Sequence, residues 1–220
     1  MSGVRLYGVA TAPGSAGPRV RGADVVAFRE VAAVVADGVP DPGPDAVVDL
    51  ADYRRVVESV FRERAMLPAP PGTVFRSRDL VAQWLELHYF TLLDALAFVD
   101  ERAVARVSVS RTGHVPGHAA GHTAGHAAGQ AAAAAPTLDD GAEAALQDAL
   151  RALRRHAVAG LAVGTDGAGH VTAMSFLVER QAWDDFVARV AHEGARLPDL
   201  ALAVSGPWPP YDFVRMQFGG

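Results

Sequence analysis

Residues 111–136 of this 220-residue chain are dominated by Gly, Ala and His. The repeat HxxG recurs at His114, His118, His122 and His126, and an alanine run follows from Ala131 to Ala135. Such low complexity gives no apolar stripe to bury, so the tract reads as a mobile linker. The sequence on either side must then bury a core of its own, and two small domains are expected. The boundaries read from the sequence are a first α+β domain at 1–110, the linker at 111–136, a second α+β domain at 137–205, and a tail at 206–220.

Composition supports folded domains and removes several classes of function. Half the residues are apolar and one fifth are charged, which is globular rather than disordered usage. The formal charge is −5 and no Lys/Arg stripe recurs along one element, so no nucleic-acid partner is expected. Cysteine is absent, which rules out disulfides and thiolate chemistry and fits a reducing compartment. The N-terminus lacks the continuous apolar core of a signal peptide, and no stretch approaches the roughly 18 apolar residues of a membrane span. A soluble cytoplasmic protein is expected.

Within the first domain, Val4 to Ala10 is rich in β-formers and closed by Pro13 and Gly14. Val25 to Phe28 and Val31 to Val35 read as adjacent strands around Arg29-Glu30. Tyr53, Val56, Val57, Val60 and Phe61 then fall at helical spacing, with Arg54, Arg55, Glu58, Arg62 and Glu63 opposite. Pro68 to Phe75 must end that helix, and reads first as a tight turn and second as a binding loop. A second helix is expected at about Ser77 to Val99, capped by Ser77, with an apolar stripe of Leu80, Trp84, Leu85, Leu92, Leu93 and Leu96. Ala103 to Val109 alternates and is expected to close the first domain.

In the second domain, Thr137-Leu138-Asp139-Asp140 resembles a capping box, followed by an apolar stripe from Leu138 to Leu153. Asp139, Asp140 and Glu143 at its start and Arg151, Arg154 and Arg155 at its end match the helix dipole. Ala157 to Val163 and Val171 to Val178 read as a hairpin, Trp183 to Ala191 as a helix, and Leu200 to Val204 as a last strand. Strand, helix and strand there make a crossover unit.

Four separated segments carry a resemblance to the gas vesicle protein L/F family (GvpL/GvpF). Leu6-Tyr7-Gly8-Val9 resembles the family's opening strand. Met66-Leu67-Pro68 with Gly72-Thr73-Val74-Phe75 resembles its central segment, although Ala69-Pro70-Pro71 replaces the usual basic and aromatic side chains. Ser175-Phe176-Leu177-Val178 resembles a strand of its second domain, and Ser205-Gly206-Pro207-Trp208-Pro209-Pro210-Tyr211-Asp212-Phe213-Val214 its most distinctive motif. The resemblance implies a two-domain α+β protein whose first domain is a ferredoxin-like variant. It also implies a non-enzymatic accessory role in gas vesicle assembly, with the vesicle shell protein and other accessory proteins as partners and the gas vesicle as a location.

The tail supplies the candidate binding residues. Pro207, Pro209 and Pro210 fix φ near −65°, so an extended rod is expected to present Trp208, Pro209, Pro210, Tyr211 and Phe213 to a partner. Folding back of these aromatics onto the second domain's sheet is the competing reading, strongest for Trp208. The four histidines of the HxxG tract would line one face of a helix and suit Zn²⁺ or Ni²⁺. Glycine at 117, 121, 125 and 129 opposes that helix, so no metal or other cofactor is expected. His88 reads as a satisfied residue of a helix stripe and His156 as a dipole partner at a helix end. No phosphate loop, nucleophile elbow or HExxH pair is present. A small ferredoxin-like enzyme or ligand carrier, and a metal buffer acting through the His tract, stand as the alternatives.

Overall fold

The structure is a computed structural model, and it describes residues 2–12, 23–40, 49–112, 138–164 and 170–214. The HxxG histidines and Thr137 lie outside the described residues, as do residues 13–22 and 165–169. The protein is α+β, with two antiparallel sheets in two units. One unit runs to Glu101 and takes in the chain again from Pro209; the other spans Arg102–Trp208.

The first unit contains β1 (Ser2–Thr11), β2 (Asp24–Phe28), β3 (Val31–Pro40), α1 (Leu50–Glu63), β4 (Met66–Pro68), β5 (Val74–Phe75), α2 (Arg78–Leu87) and α3 (Tyr89–Val99). Its sheet order is β2-β3-β1-β4, with β5 also paired to β1. The central strands are buried on both faces, which is why they read as near-continuous apolar runs rather than alternating ones. Leu6, Val9, Val31, Ala33 and Val35 meet α2 and α3, whereas Tyr7, Ala10 and Val34 meet Tyr53, Val56, Val57 and Val60 of α1. Leu6 and Val9 share a face despite odd spacing because the β1–β3 register shifts between Leu6 and Gly8.

At Gly8, β1 lies close against β4. A Cβ there would lie 2.5 Å from the Leu67 carbonyl oxygen and 3.1 Å from Pro68 Cα, so only glycine lets β4 approach. The segment from Pro68 to Phe75 is therefore neither a simple turn nor a free loop. Both its ends are strands on β1: Leu67 pairs with Val9, and Phe75 with Val4. Pro68 is tolerated at a strand end, where its missing amide costs no ladder bond.

The second unit contains β6 (Arg102–Arg111), α4 (Asp140–Arg154), β7 (Ala159–Val163), β8 (His170–Glu179), a 3₁₀ turn at Arg180–Ala182, α5 (Trp183–Gly194) and β9 (Leu200–Trp208). Its sheet order is β7-β8-β6-β9. The element order β-α-β-β-α-β with this strand order is the split-βαβ arrangement of ferredoxin-like folds. Ala105, Val107 and Val109 of β6 and Met174, Phe176 and Val178 of β8 form one core with α4 and α5. Asp139 caps α4, its carboxylate accepting from Ala142 N at 2.7 Å.

Four expectations need correction. The strand at 103–109 does not close the first domain: β6 is central in the second sheet, paired with β8 on one side and β9 on the other. The unit boundary consequently falls at Glu101/Arg102 instead of residue 110. The single helix at 77–99 is divided at His88. The tail from Gly206 is not a free extended rod, since Gly206–Trp208 finishes β9 and the chain from Pro209 belongs with the first unit.

Candidate interaction surface

The helices α2 and α3 place the largest exposed apolar side chains of the described protein. Ser77 starts α2, its hydroxyl accepting from Leu80 N at 3.3 Å. Val81, Trp84 and Leu85 of α2, with Tyr89, Leu92, Leu96 and Val99 of α3, turn into the core. Backbone hydrogen bonds continue across the junction, from His88 N to Trp84 O at 3.1 Å and from Leu92 N to His88 O at 2.9 Å. The interruption has a side-chain cause: His88 Nδ1 also reaches Trp84 O, at 2.9 Å. A carbonyl only accepts, so Nδ1 carries the proton and competes for the helix ladder, the usual source of a local kink.

On either side of this kink, Leu87 and Phe90 are 80% and 75% exposed. The next most exposed large apolar residues are Phe98 at 44% and Leu80 at 41%, on the same two helices, and Val158 at 43% in the second unit. Leu80 was expected in the buried stripe, but Val81 occupies that position instead. At about 100° per residue, Leu80 and Leu87 point to one side of α2 and Phe90 and Phe98 to one side of α3, away from the core stripe. Asp79, Glu86 and Asp94 are exposed among them.

Polar contacts hold this surface in place. Arg78 at the start of α2 grips Asp37 through Nε at 2.9 and 3.0 Å and also bonds Asp24. The Arg78 guanidinium holds the Asp37 carboxyl below the usual carboxylate range. At the start of α3, Tyr89 donates its hydroxyl to the Glu30 carboxylate, and Arg29 stacks over Tyr89 and Phe28 at 5.3 and 5.4 Å. That hydrogen bond raises the Tyr89 phenol and lowers the Glu30 carboxyl. The β2–β3 turn thus fixes the C-terminal helix and the β3 end fixes the N-terminal one.

The tail is built differently. Gly206 has φ +130°, and a Cβ there would lie 2.6 Å from Val104 O and 2.7 Å from Trp183 Cη2. The Gly206–Pro207 peptide is cis. Trp208 is half-buried and its Nε1 donates to Ser205 Oγ at 3.2 Å. Pro209 and Pro210 are buried, and the chain turns there, with Tyr211 N bonded to Pro209 O at 2.8 Å and Phe213 N to Pro210 O at 3.1 Å. Tyr211 packs on Tyr53 with ring centroids 6.4 Å apart, and Tyr53 stacks on Tyr7 at 6.3 Å. Tyr53 donates to Ala69 O, and Tyr7 donates to Asp52 Oδ2 at 2.8 Å. Burial raises the Tyr53 and Tyr211 phenols, and burial with the Asp52 bond raises Tyr7. Arg55, then Tyr7, lowers the Asp52 carboxyl.

Of the expected tail contacts, Trp208 lies in the second unit, and Pro209, Pro210, Tyr211 and Phe213 in the first. Leu87 and Phe90 were missed by sequence reading. Their signal was present as large apolar residues lying off the stripe that contains Leu85 and Leu92. Every shifted group sits in a pair or stack that ties elements together. A cavity of about 230 Å³ among the described residues, lined by Arg111, Thr112, Leu138, Asp139, Ala142 and Asp199, lies below the usual size of a ligand pocket. Among the described residues no group of three or more His, Asp or Glu is placed to hold a metal, and no helix is long and apolar enough to cross a membrane.

Fold and surface together define a two-unit α+β protein that exposes an apolar pair on a kinked helix and keeps its conspicuous C-terminal motif largely packed. A crystal structure of GvpF from Anabaena sp. PCC7120 matches 99% of this chain and 98% of its own, with TM-score 0.74 and 15% identity. GvpF from Microcystis aeruginosa matches 97% and 99%, with TM-score 0.69 and 13% identity. Gas vesicle protein F2 of Halobacterium salinarum is 42% identical over 45 residues, which span 20% of this chain and 21% of that protein. The family description "Gas vesicle synthesis protein GvpL/GvpF" fits residues 3–215. The chain belongs to the GvpL/GvpF family of gas vesicle proteins, and its role lies in the gas vesicle system.

Proposed function

We propose that this chain is a cytoplasmic accessory protein of gas vesicle assembly that acts by binding, without turnover, and that it captures the hydrophobic shell protein and other accessory proteins at the growing vesicle. The observation that carries this reading is the exposure of Leu87 and Phe90, two large apolar side chains held outward on a braced helix junction. Burying each against a partner is worth roughly 1.5–3 kcal/mol, so together they set about a 100-fold difference in affinity or more. The tail adds a second contact. With Pro209 and Pro210 buried and Tyr211 against Tyr53, that contact falls mainly to Trp208 and Phe213.

The test is co-purification with the shell protein after co-expression. Leu87→Ser/Phe90→Ser is expected to lose capture while its circular dichroism stays native, and Trp208→Ala to weaken capture less. Full capture by the folded double variant would remove this surface from the mechanism, and loss of capture only with Trp208→Ala would move the contact to the tail.

A further inference from the structure

We infer that the element seated on the α2–α3 face is a basic amphipathic helix, one whose apolar stripe is flanked by Arg or Lys. The inference rests on the reading that Leu87 and Phe90 are a contact, and adds the chemistry of what meets them. From Asp79 to Glu101 the sequence holds Asp79, Glu86, Asp94, Asp100 and Glu101 and no Lys or Arg. Asp79, Glu86 and Asp94 are exposed and make no ion pair among the described residues. Arg76 and Arg78 precede this stretch and Arg102 follows it; Arg78 is turned to Asp37 and Asp24, and Arg29 of the β2–β3 turn is stacked on Tyr89. An apolar row is thus bordered by unneutralised carboxylates, a combination that repels anionic lipid and acidic peptides and attracts cationic ones.

Geometry selects a helix as the partner. Leu80, Leu87, Phe90 and Phe98 recur at helical intervals along two consecutive helices. A second helix laid alongside presents i, i+3, i+4 and i+7 anchors to such a row and carries its flanking charges to both borders. An added strand would instead need an open sheet edge, which this face does not offer.

The experiment uses the full-length chain and two synthetic helical peptides with identical Leu/Phe stripes, one flanked by Arg and the other by Glu, measured by fluorescence anisotropy. The Arg peptide is expected to bind about ten-fold tighter or better, as three weak charge pairs allow. Raising salt should shrink the preference. Glu86→Lys/Asp94→Lys should reverse it, and Leu87→Ser/Phe90→Ser should abolish binding of both peptides. Equal binding of both peptides that still depends on Leu87 and Phe90 would overturn the charge inference and leave the contact standing. Binding of the Arg peptide that ignores Leu87→Ser/Phe90→Ser would overturn the contact and the inference together. Binding to phosphatidylcholine vesicles with neither peptide bound would overturn the inference in favour of a lipid surface.

Discussion

Replacing Gly206 by alanine tests whether the Gly-Pro-Trp run is a packed part of the fold. Two separate costs apply. A residue with a Cβ at φ +130° stands in a region that is nearly glycine-only, which costs about 1–3 kcal/mol. The new methyl also meets Val104 O at 2.6 Å and Trp183 Cη2 at 2.7 Å, and overpacking of this kind adds about 1–3 kcal/mol. A backbone carbonyl in the central strand cannot swing aside as a flexible side-chain end can. We therefore expect a loss of about 3–4 kcal/mol from the two together. Gly38→Ala is the internal control: its φ is +73° but nothing lies within 4 Å of the added Cβ, so only conformational strain of about 1–2 kcal/mol applies. In a Trp84→Phe background urea unfolding separates the units, because the remaining Trp183 and Trp208 lie in the second and all four tyrosines in the first. With slopes of about 1–3 kcal/mol/M, the tryptophan midpoint of Gly206→Ala should fall by about 1–4 M. A fall no larger than the Gly38→Ala shift in the tyrosine signal would refute the close approach of β9 to β6 at this point.

Gly8→Ala should cost about 1–3 kcal/mol by forcing β4 away from β1, read as a lower midpoint in the tyrosine transition; a variant as stable as the parent would contradict the pairing at Pro68. Alkaline titration tests the tyrosine stack. The Tyr53 and Tyr211 phenols are raised above their unfolded values, so the folded state holds those protons more tightly. Their contribution is complete below about pH 10 and is lost as pH rises toward the raised values. Phenolate absorbance from both should appear together with loss of circular dichroism, and smooth titration near pH 10 in a folded chain would exclude their burial. The lowered carboxyls of Asp37 and Asp52 act with the opposite sign, since their stabilisation is present above the ordinary carboxylate range and lost as pH falls from there through the lowered folded values. Arg78→Ala removes an exposed charge network and should cost under about 1 kcal/mol, measured as a small midpoint shift in the first unit.

The legible parts of this fold were those set by local periodicity. The stripe Tyr53, Val56, Val57, Val60 and Phe61 is the buried face of α1, and the charges at the two ends of α4 lie where the dipole favours them. Pairing partners were not legible, because alternation along Ala103 to Val109 specifies which side chains face inward but says nothing about which sheet receives them. Sequence proximity assigned the strand to the elements before it, whereas the split-βαβ order required it as the central strand of those after it. The kink at His88 was hidden for a related reason: a ring nitrogen that captures the carbonyl four residues back leaves the apolar period almost unchanged.

The same distinction governs the site. Proline stiffness was readable at Pro209 and Pro210, but a stiff segment is equally suited to meeting a partner or to docking on its own chain. The outcome depends on whether an apolar surface is waiting for it. Tyr53 supplies that surface, and it had already been counted as ordinary core of α1. Leu87 and Phe90 show the converse. Neither belongs to a motif, yet each is a large apolar residue placed where the helix faces water and braced by contacts on both sides of the kink. Exposure of that kind has no folding benefit, and the proposed contact rests on it more than on the proline-rich run.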